Sequence, residues 1–509
     1  MNCYIVAVGG TGSRVLRSVV HLAAAGVFED VKGLQNINVM VVDSDSLNGD
    51  KINTNDTLSD YSVLSQSNVF RPVIKQYAWN PIDVMNKAID APQLMNVAAM
   101  SDKIEDLYGF LYTSEERSKV LKGGFYSHTS IGSFYMNQDI TDGKGIYINE
   151  WKNFFENNNI QPEDKIIIIG SVFGGTGASG LPTLARKIKT APKTQNCDIA
   201  GILVGPYFAA PTPSEGSIIE TDNFPIKSKI AIDFYDKQKM SDVFKTMYFI
   251  GEDSDKLMMT THSTDGQTQK NKANVVELYS ATAIVDFLNN TAVPTDTENK
   301  CVKLAWRGTE TSDDVFGYGY LNNAGNVRVY EKMAQFFSFS VLYTKLLYSI
   351  INDYNDRARL KVNYKISDSD NEKMRDYCRK YIEWIRELIT MKDIKIGGSI
   401  NIDLKSGENQ YTNWFNYYNF DLYDGEEIRI QGKIKDNTDK CRYMDRDKKF
   451  KDMYSENTPG FEDIITTVKG GINTASTVYQ RLCIKDKNAQ EGRPLRALVD
   501  DTIYYIWNS

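Results

Sequence analysis

From residue 1 to about 253, short apolar runs alternate with longer amphipathic stretches, a pattern that predicts parallel strands joined by crossover helices. The strands expected are residues 4–8, 39–42, 166–169, 199–204 and 246–250. Their runs are continuous and β-branched rather than alternating, as suits strands covered by helices on both faces. In sheets of this kind ligands collect beyond the carboxyl ends of the strands, so the chemistry is expected there.

The stretch 51–122 is polar, rich in Asn, Ser and Asp and weakly periodic, which predicts a helical insertion on this first unit. A helix with apolar positions Val276, Tyr279, Ala283 and Phe287 follows, and the turn formers of 289–300 then break the pattern as a hinge. Beyond it, 328–391 reads as long helices, while alternating stretches at 394–404 and 427–433 read as strands. The expected organisation is therefore an α/β unit over 1–270, a core helix and hinge over 271–300, and a mixed α+β unit over 301–509. The most membrane-like stretch, 333–351, is interrupted by Gln335, Ser338, Ser340, Thr344 and Lys345. A spanning helix needs about 20 mainly apolar residues, so a buried core helix is the expectation.

Composition narrows the classes. With 41% apolar residues the 509-residue chain has enough to build packed cores, and its net charge of −7 is spread along it. No basic face suited to nucleic acid or an anionic membrane stands out. Six cysteines lie far apart without a CxxC pair, and only three histidines are present, which argues for reduced thiols and against a Cys/His metal set. The first residues enter a strand pattern at once, without the segments of an export signal, so a cytoplasmic location is expected.

Two loops carry the chemistry. Gly9, Gly10, Thr11, Gly12 and Ser13 follow the first strand and open a helix expected over residues 14–25, where backbone N–H groups can converge on an anion. Glycines in such a turn are also often there for steric reasons alone. Gly174, Gly175, Thr176 and Gly177 repeat the arrangement after the isoleucine-rich strand. No lysine follows the glycines, so neither loop is a Walker P-loop, and binding would rest on backbone amides and helix ends.

The run Gly174-Gly175-Thr176-Gly177 resembles the phosphate-loop signature of the tubulin/FtsZ superfamily. Other pieces fall in that family's order. Gly9 to Ser13 is similar to its first phosphate loop, Asp43-Ser44-Asp45 to its second, and Gly123-Gly124 to its third. Residues 204–208 resemble the stretch near the ribose, and the helix and strand ending Gly251-Glu252-Asp253 resemble the segment before the core helix. Phe173 stands where the signature has its first glycine.

The resemblance covers residues 1 to about 300 and implies a GTP/GDP site with Mg²⁺ held by Asp43 and Asp45. It places Asn274 and then Glu277 against the guanine base, where an amide or carboxylate suits the base's donors. Asn274 also reads simply as a helix N-cap, and the Asp43 stretch as an Asp-rich turn. The acidic loop that completes a neighbour's active site has no clean match, with Asp296 and Glu298 the nearest acids. His128 is the one histidine that could approach a phosphate. What the resemblance implies is head-to-tail assembly of the chain with itself, GTP hydrolysis at the subunit interface, and a C-terminal unit open to a cargo or adaptor protein.

Two other readings stand beside it. One is a tubulin-like subunit that assembles without catalysis. The other is a dinucleotide-binding oxidoreductase, since a strand, Gly10-Thr11-Gly12 and a later strand ending at Asp43 imitate the Rossmann fingerprint. Against that last reading, Val15 replaces the third glycine, and Asp43 falls 31 residues after Gly12 rather than about 20.

Overall fold

The computed structural model describes residues 1–45, 48–81, 109–114, 125, 128–137, 147, 149–209, 223–252, 258–259, 271–289, 301–306, 315–316, 329–353, 360, 364–389, 475–484 and 493–507. The expected hinge, the stretches 394–404 and 427–433, Gly123, Gly124, Asp296 and Glu298 lie outside these residues.

The apolar runs form strands β1 (Cys3–Val8), β2 (Asn36–Val42), β3 (Val73–Trp79), β4 (Lys165–Ser171), β5 (Asp198–Val204), β7 (Thr246–Gly251), β9 (Cys301–Trp306) and β10 (Val315–Phe316). They make one sheet in the order β10-β9-β7-β5-β4-β1-β2-β3, with every pairing parallel. Two residues each of β6 (Phe208–Ala209) and β8 (Met258–Met259) pair separately. From β1 the chain first builds outward through β2 and β3, then returns to place β4 on the other side of β1 and builds away from it. The strand order thus reverses between β1 and β4.

Alternation along the strands feeds two cores. Ile5, Ala7, Val39, Val41, Ile167, Ile169 and Ile202 face helices α1 (Gly9–Ala24) and α2 (Gly49–Gln66) and the core helix, which is Val275–Asn289. Tyr4, Val6, Val8, Met40, Ile166 and Ile168 face the opposite way. Their partners lie on α3 (Thr129–Met136), α4 (Asn149–Phe155), α5 (Gly175–Thr190) and α6 (Phe224–Lys237). The core helix, α7, is buried from Val275 to Leu288. A helix apolar on every side has to be covered on every side. It sits on the α1 face although β9, which follows it, extends the sheet in the same direction as β5 does after α5. The β7–α7–β9 connection therefore has the opposite hand to β4–α5–β5.

One expectation needs correcting. The stretch 51–122 is not simply a helical insertion, since its first part is α2 and the edge strand β3, paired along its length with β2. Its polarity reflects position at the edge. Lys75, Gln76 and Ala78 are exposed, and Gln76 and Lys75 bond to Asn55 and Asn158 rather than to a further strand.

Helices α8 (Val329–Leu342), α9 (Tyr348–Asn352), α10 (Asp368–Ile389), α11 (Ala475–Ile484) and α12 (Pro494–Trp507) supply a further layer. The apolar stretch near residue 340 is core as expected, with Phe336, Phe337, Phe339 and Tyr343 buried, and no helix among the described residues is long and apolar enough to cross a membrane. Helix α10 lies against α1 and α2. His21 of α1 stacks on Trp384 with centroids 4.8 Å apart, Lys380 reaches Asp60 at 2.6 Å, and Arg496 of α12 reaches Glu29 at 2.6 Å. Cys3, Cys197, Cys378 and Cys483 form no disulfide among the described residues.

Burial, with Arg17 and Lys380 nearby, holds the His21 imidazole well below its ordinary value and therefore neutral. The unfolded chain takes up that proton first, so stability is lost as pH falls below about 6.5. Thermal melts between pH 7.5 and 5.5 should show a falling midpoint, and His21→Phe should flatten the acid limb relative to wild type.

Candidate functional site

The reversal between β1 and β4 leaves a crevice at their carboxyl ends, where neighbouring connections diverge to opposite faces. Both glycine loops are there. Helix α1 begins at Gly9 itself, directly after β1, rather than at Arg14 as expected, and α5 begins at Gly175, just after β4. The glycines therefore are the first helical turns. Neither N-terminus is capped by a side chain. First-turn N–H groups have no partner within their own helix, and the helix dipole favours an anion beside them.

The two loops touch. A Cβ on Gly9, whose φ is +72°, would stand 3.1 Å from Thr176 Cβ. Gly12 and Gly177 are steric necessities. A Cβ on Gly12 would meet Ala7 C at 2.8 Å, and one on Gly177 would meet Ser171 N and O at 2.6 Å, so each helix can pack onto its strand only without one. Gly10 is different, because a Cβ there would find nothing within 4 Å. Gly10, Thr11, Gly174 and Thr176 form the partly exposed rim, while Gly9, Gly12, Ser13, Gly175 and Gly177 are buried beneath it. Ser13 Oγ in the first glycine loop and Ser44 Oγ in the Asp43–Asp45 turn are buried without a hydrogen-bond partner among the described residues. Orphaned hydroxyls of this kind are what a polar ligand satisfies.

Asp43 follows β2, and its Oδ1 accepts the Asp45 N–H at 3.1 Å, so the Asp-rich turn is present. Lys51 Nζ donates to the carbonyls of Asp45 at 2.9 Å and Asp43 at 3.4 Å, fixing the turn against α2. Burial pushes the Asp43 carboxyl up to about 6, against the pull of Lys51. Among the described residues no three His, Cys, Asp or Glu side chains cluster as a metal cage. Two carboxylates with a nucleotide's own oxygens are a different arrangement, which Asp43 and Asp45 can contribute to.

The residues expected at the base have other work. Asn274 Oδ1 accepts the Val276 N–H at 2.9 Å, and Glu277 Oε2 accepts the Asn274 N–H at 3.1 Å, a reciprocal cap on α7. Glu277 Oε1 takes Arg14 Nε at 2.5 Å and Tyr207 Oη at 3.0 Å. Both Glu277 oxygens are thus engaged inside the protein, at 2% exposure, and Asn274 serves as the N-cap that its position also suggested. Burial raises its carboxyl, partly offset by Arg14 and the capping N–H.

Sequence reasoning passed over Arg14. It lies just after the glycines on α1, and its partners are protein groups. Its NH1 donates to Asp50 Oδ2 at 3.1 Å and its NH2 to Lys272 O at 2.7 Å. The available signal was a cation placed where the helix face must be buried. Phe173, which departs from the family signature, packs against Phe224 and Phe208 with centroids 4.5 and 5.6 Å away, so the missing glycine has become core. His128 precedes α3, a helix that packs on α5 with Gly132 against Ser179.

No protein-family model matches the chain, and no curated protein matches it. Solved structures do. It is similar to CetZ2 from Haloferax volcanii, solved as a GTPγS-bound protofilament, at 10% identity and TM-score 0.28 over 58% of this chain and 61% of that one. It is also similar to CetZ from Methanosaeta thermophila, at 15% identity and TM-score 0.27 over 58% of this chain and 56% of that one. The chain therefore spans less than two thirds of either. Likenesses this slight leave the chain's own sheet order and loops to speak for the site.

The two kinds of glycine can be told apart by melting. Gly177→Ala should lose about 1–3 kcal/mol of stability by overpacking, seen as a lowered thermal midpoint. Gly10→Ala should hold or raise the midpoint, since it removes backbone entropy from a helix at an open position.

Proposed function

We propose that the chain is a tubulin-like guanine-nucleotide-binding protein that assembles head-to-tail with copies of itself. The observation that carries this reading is the meeting of two glycine-started, side-chain-uncapped helices at the reversal between β1 and β4. Gly10, Thr11, Gly174 and Thr176 form the rim on which phosphates would rest, with Gly9, Gly12, Ser13, Gly175 and Gly177 shaping the floor. Asp43 and Asp45 would hold Mg²⁺, which neutralises phosphate charge when bound. The order of motifs along residues 1–300 resembles the tubulin/FtsZ family, and the CetZ2 structure is of a GTPγS-bound protofilament. Hydrolysis belongs to the proposal as a step completed between subunits, with an acid such as Asp296 or Glu298 acting on the next copy's nucleotide. A heterologous contact of that sort generates open filaments. A tubulin-like subunit that assembles without hydrolysis would use the same site.

A dinucleotide reading draws support from one observation. Asp43 sits at the carboxyl end of the strand next to β1, so its long spacing from Gly12 comes from intervening chain and does not by itself remove it from that role. The second glycine loop counts the other way, since a dinucleotide fingerprint uses one.

Nucleotide released by denaturing freshly purified protein, followed by pelleting with GTP, GDP and ATP, separates these readings. Guanine nucleotide and GTP-dependent sedimentation are expected, whereas NAD(P) or flavin would move the protein to the oxidoreductases. Gly10→Asp should keep the wild-type melting midpoint, because a carboxylate suits a helix N-terminus at an open position, while abolishing nucleotide retention by repelling phosphate.

A further inference from the structure

Four consecutive residues before α7 are each held by a charged side chain, the first three by side chains distant in sequence and the last by Glu277 of α7 itself. Asn271 donates to Asp50 through its backbone N at 2.7 Å and its Nδ2 at 3.0 Å, Lys272 O accepts from Arg14, Ala273 N donates to Glu387 Oε2 at 2.8 Å, and Asn274 N donates to Glu277. Glu387 is itself held by Arg17 at 2.7 Å, one turn along α1 from Arg14. Arg14 is the centre of this arrangement. It alone touches the α2 N-terminus through Asp50, the α7 N-terminus through Glu277, the preceding backbone through Lys272 O, and the chain after β5 through Tyr207.

A cation so close to a glycine loop would ordinarily be taken for a phosphate ligand. Here its side chain is 10% exposed, and every guanidinium nitrogen already donates to protein oxygens. Its anchoring is directional, because a planar fork spans partners that a single ammonium cannot. Through Asp50 it also holds the start of α2, the helix whose Lys51 bonds to the carbonyls of Asp43 and Asp45.

We propose that Arg14 is a positioning residue of the nucleotide site: it contacts no phosphate, and sets the second loop and the head of α7 at fixed distances from the first loop. This rests on the guanine-nucleotide reading above. Losing it shifts loops that must converge on one ligand, and displacements near 1 Å at such sites cost up to about a hundredfold.

The test is equilibrium dialysis of GDP and of GTP against the wild-type chain, Arg14→Lys, Arg14→Met and the triple variant Arg14→Met/Asp50→Asn/Glu277→Gln, each with a thermal melt. Arg14→Met strands two buried carboxylates and should melt early, whereas the triple variant strands none and should regain most of the midpoint. Both Arg14→Lys and the folded triple variant should bind about tenfold or more weakly, by the same factor for GDP and GTP. A triple variant that binds as tightly as wild type would overturn the proposal, reducing Arg14 to a neutraliser of buried charge. A larger loss for GTP than for GDP would also overturn it, by making Arg14 a phosphate ligand. Wild-type protein that binds neither nucleotide would instead sink the functional reading on which the proposal stands, and that result is visible before any variant is compared.

Discussion

Everything at the carboxyl edge of the sheet depends on one buried guanidinium. Arg14 is enclosed with two carboxylates, Asp50 and Glu277, a ratio that leaves the cluster short of one positive charge. Each carboxylate lies in the first turn of its helix, where the partial positive charge of the helix end makes up part of the deficit. Tyr207 Oη and the N–H groups of 271 and 274 provide the remaining donors. Buried ion pairs of this kind contribute little net stability over an apolar core, yet removing one member is costly because the other is left stranded. The consequence is geometric: three helix starts and the stretch before α7 cannot shift independently.

That constraint joins two layers. Helix α1 is enclosed by the sheet on one side and by α10 on the other, so its polar residues Arg14, Arg17, Ser18 and His21 all lie inside the protein. Arg14 serves the layer containing α2 and α7, and Arg17 reaches Glu387 in the outer helices. His21 completes the run as a neutral ring among Tyr377, Tyr381 and Trp384. Spacings of three and four residues put these groups on one stripe of the helix. The helix also lies so close to β1 that no Cβ fits at Gly12.

Much of the sheet was legible because strands covered on both faces must be apolar at every position, as 166–169 and 199–204 are. Strand β3 was missed because it is an edge, and half of its residues are solvated, so its pattern passes for a polar loop. The glycine loops were legible as a pair, though not the start of α1, since glycine-rich turns mimic the loop that usually precedes a helix. Asn274 and Glu277 carry the feature that stands out in the sequence, an amide and a carboxylate three residues apart, and in the structure they cap α7 while Glu277 also holds Arg14. Helix capping and base recognition ask for the same groups at the same spacing. The partnership of Glu277 with Arg14, 263 residues away in sequence, is not legible from that spacing.

The edge strand also bears on how copies of the chain could meet. Open parallel sheets invite extension, because an edge offers a row of unpaired backbone groups to any extended segment. On β3 the exposed Lys75 and Gln76 stand on opposite faces of the sheet, tied to Asn158 and Asn55, and Pro72 precedes the strand. A neighbour adding a strand there would have to dislodge those side chains and bury an ammonium. Extension of the sheet past β3 is thereby disfavoured, and the sheet ends there in residues that favour water over a further strand.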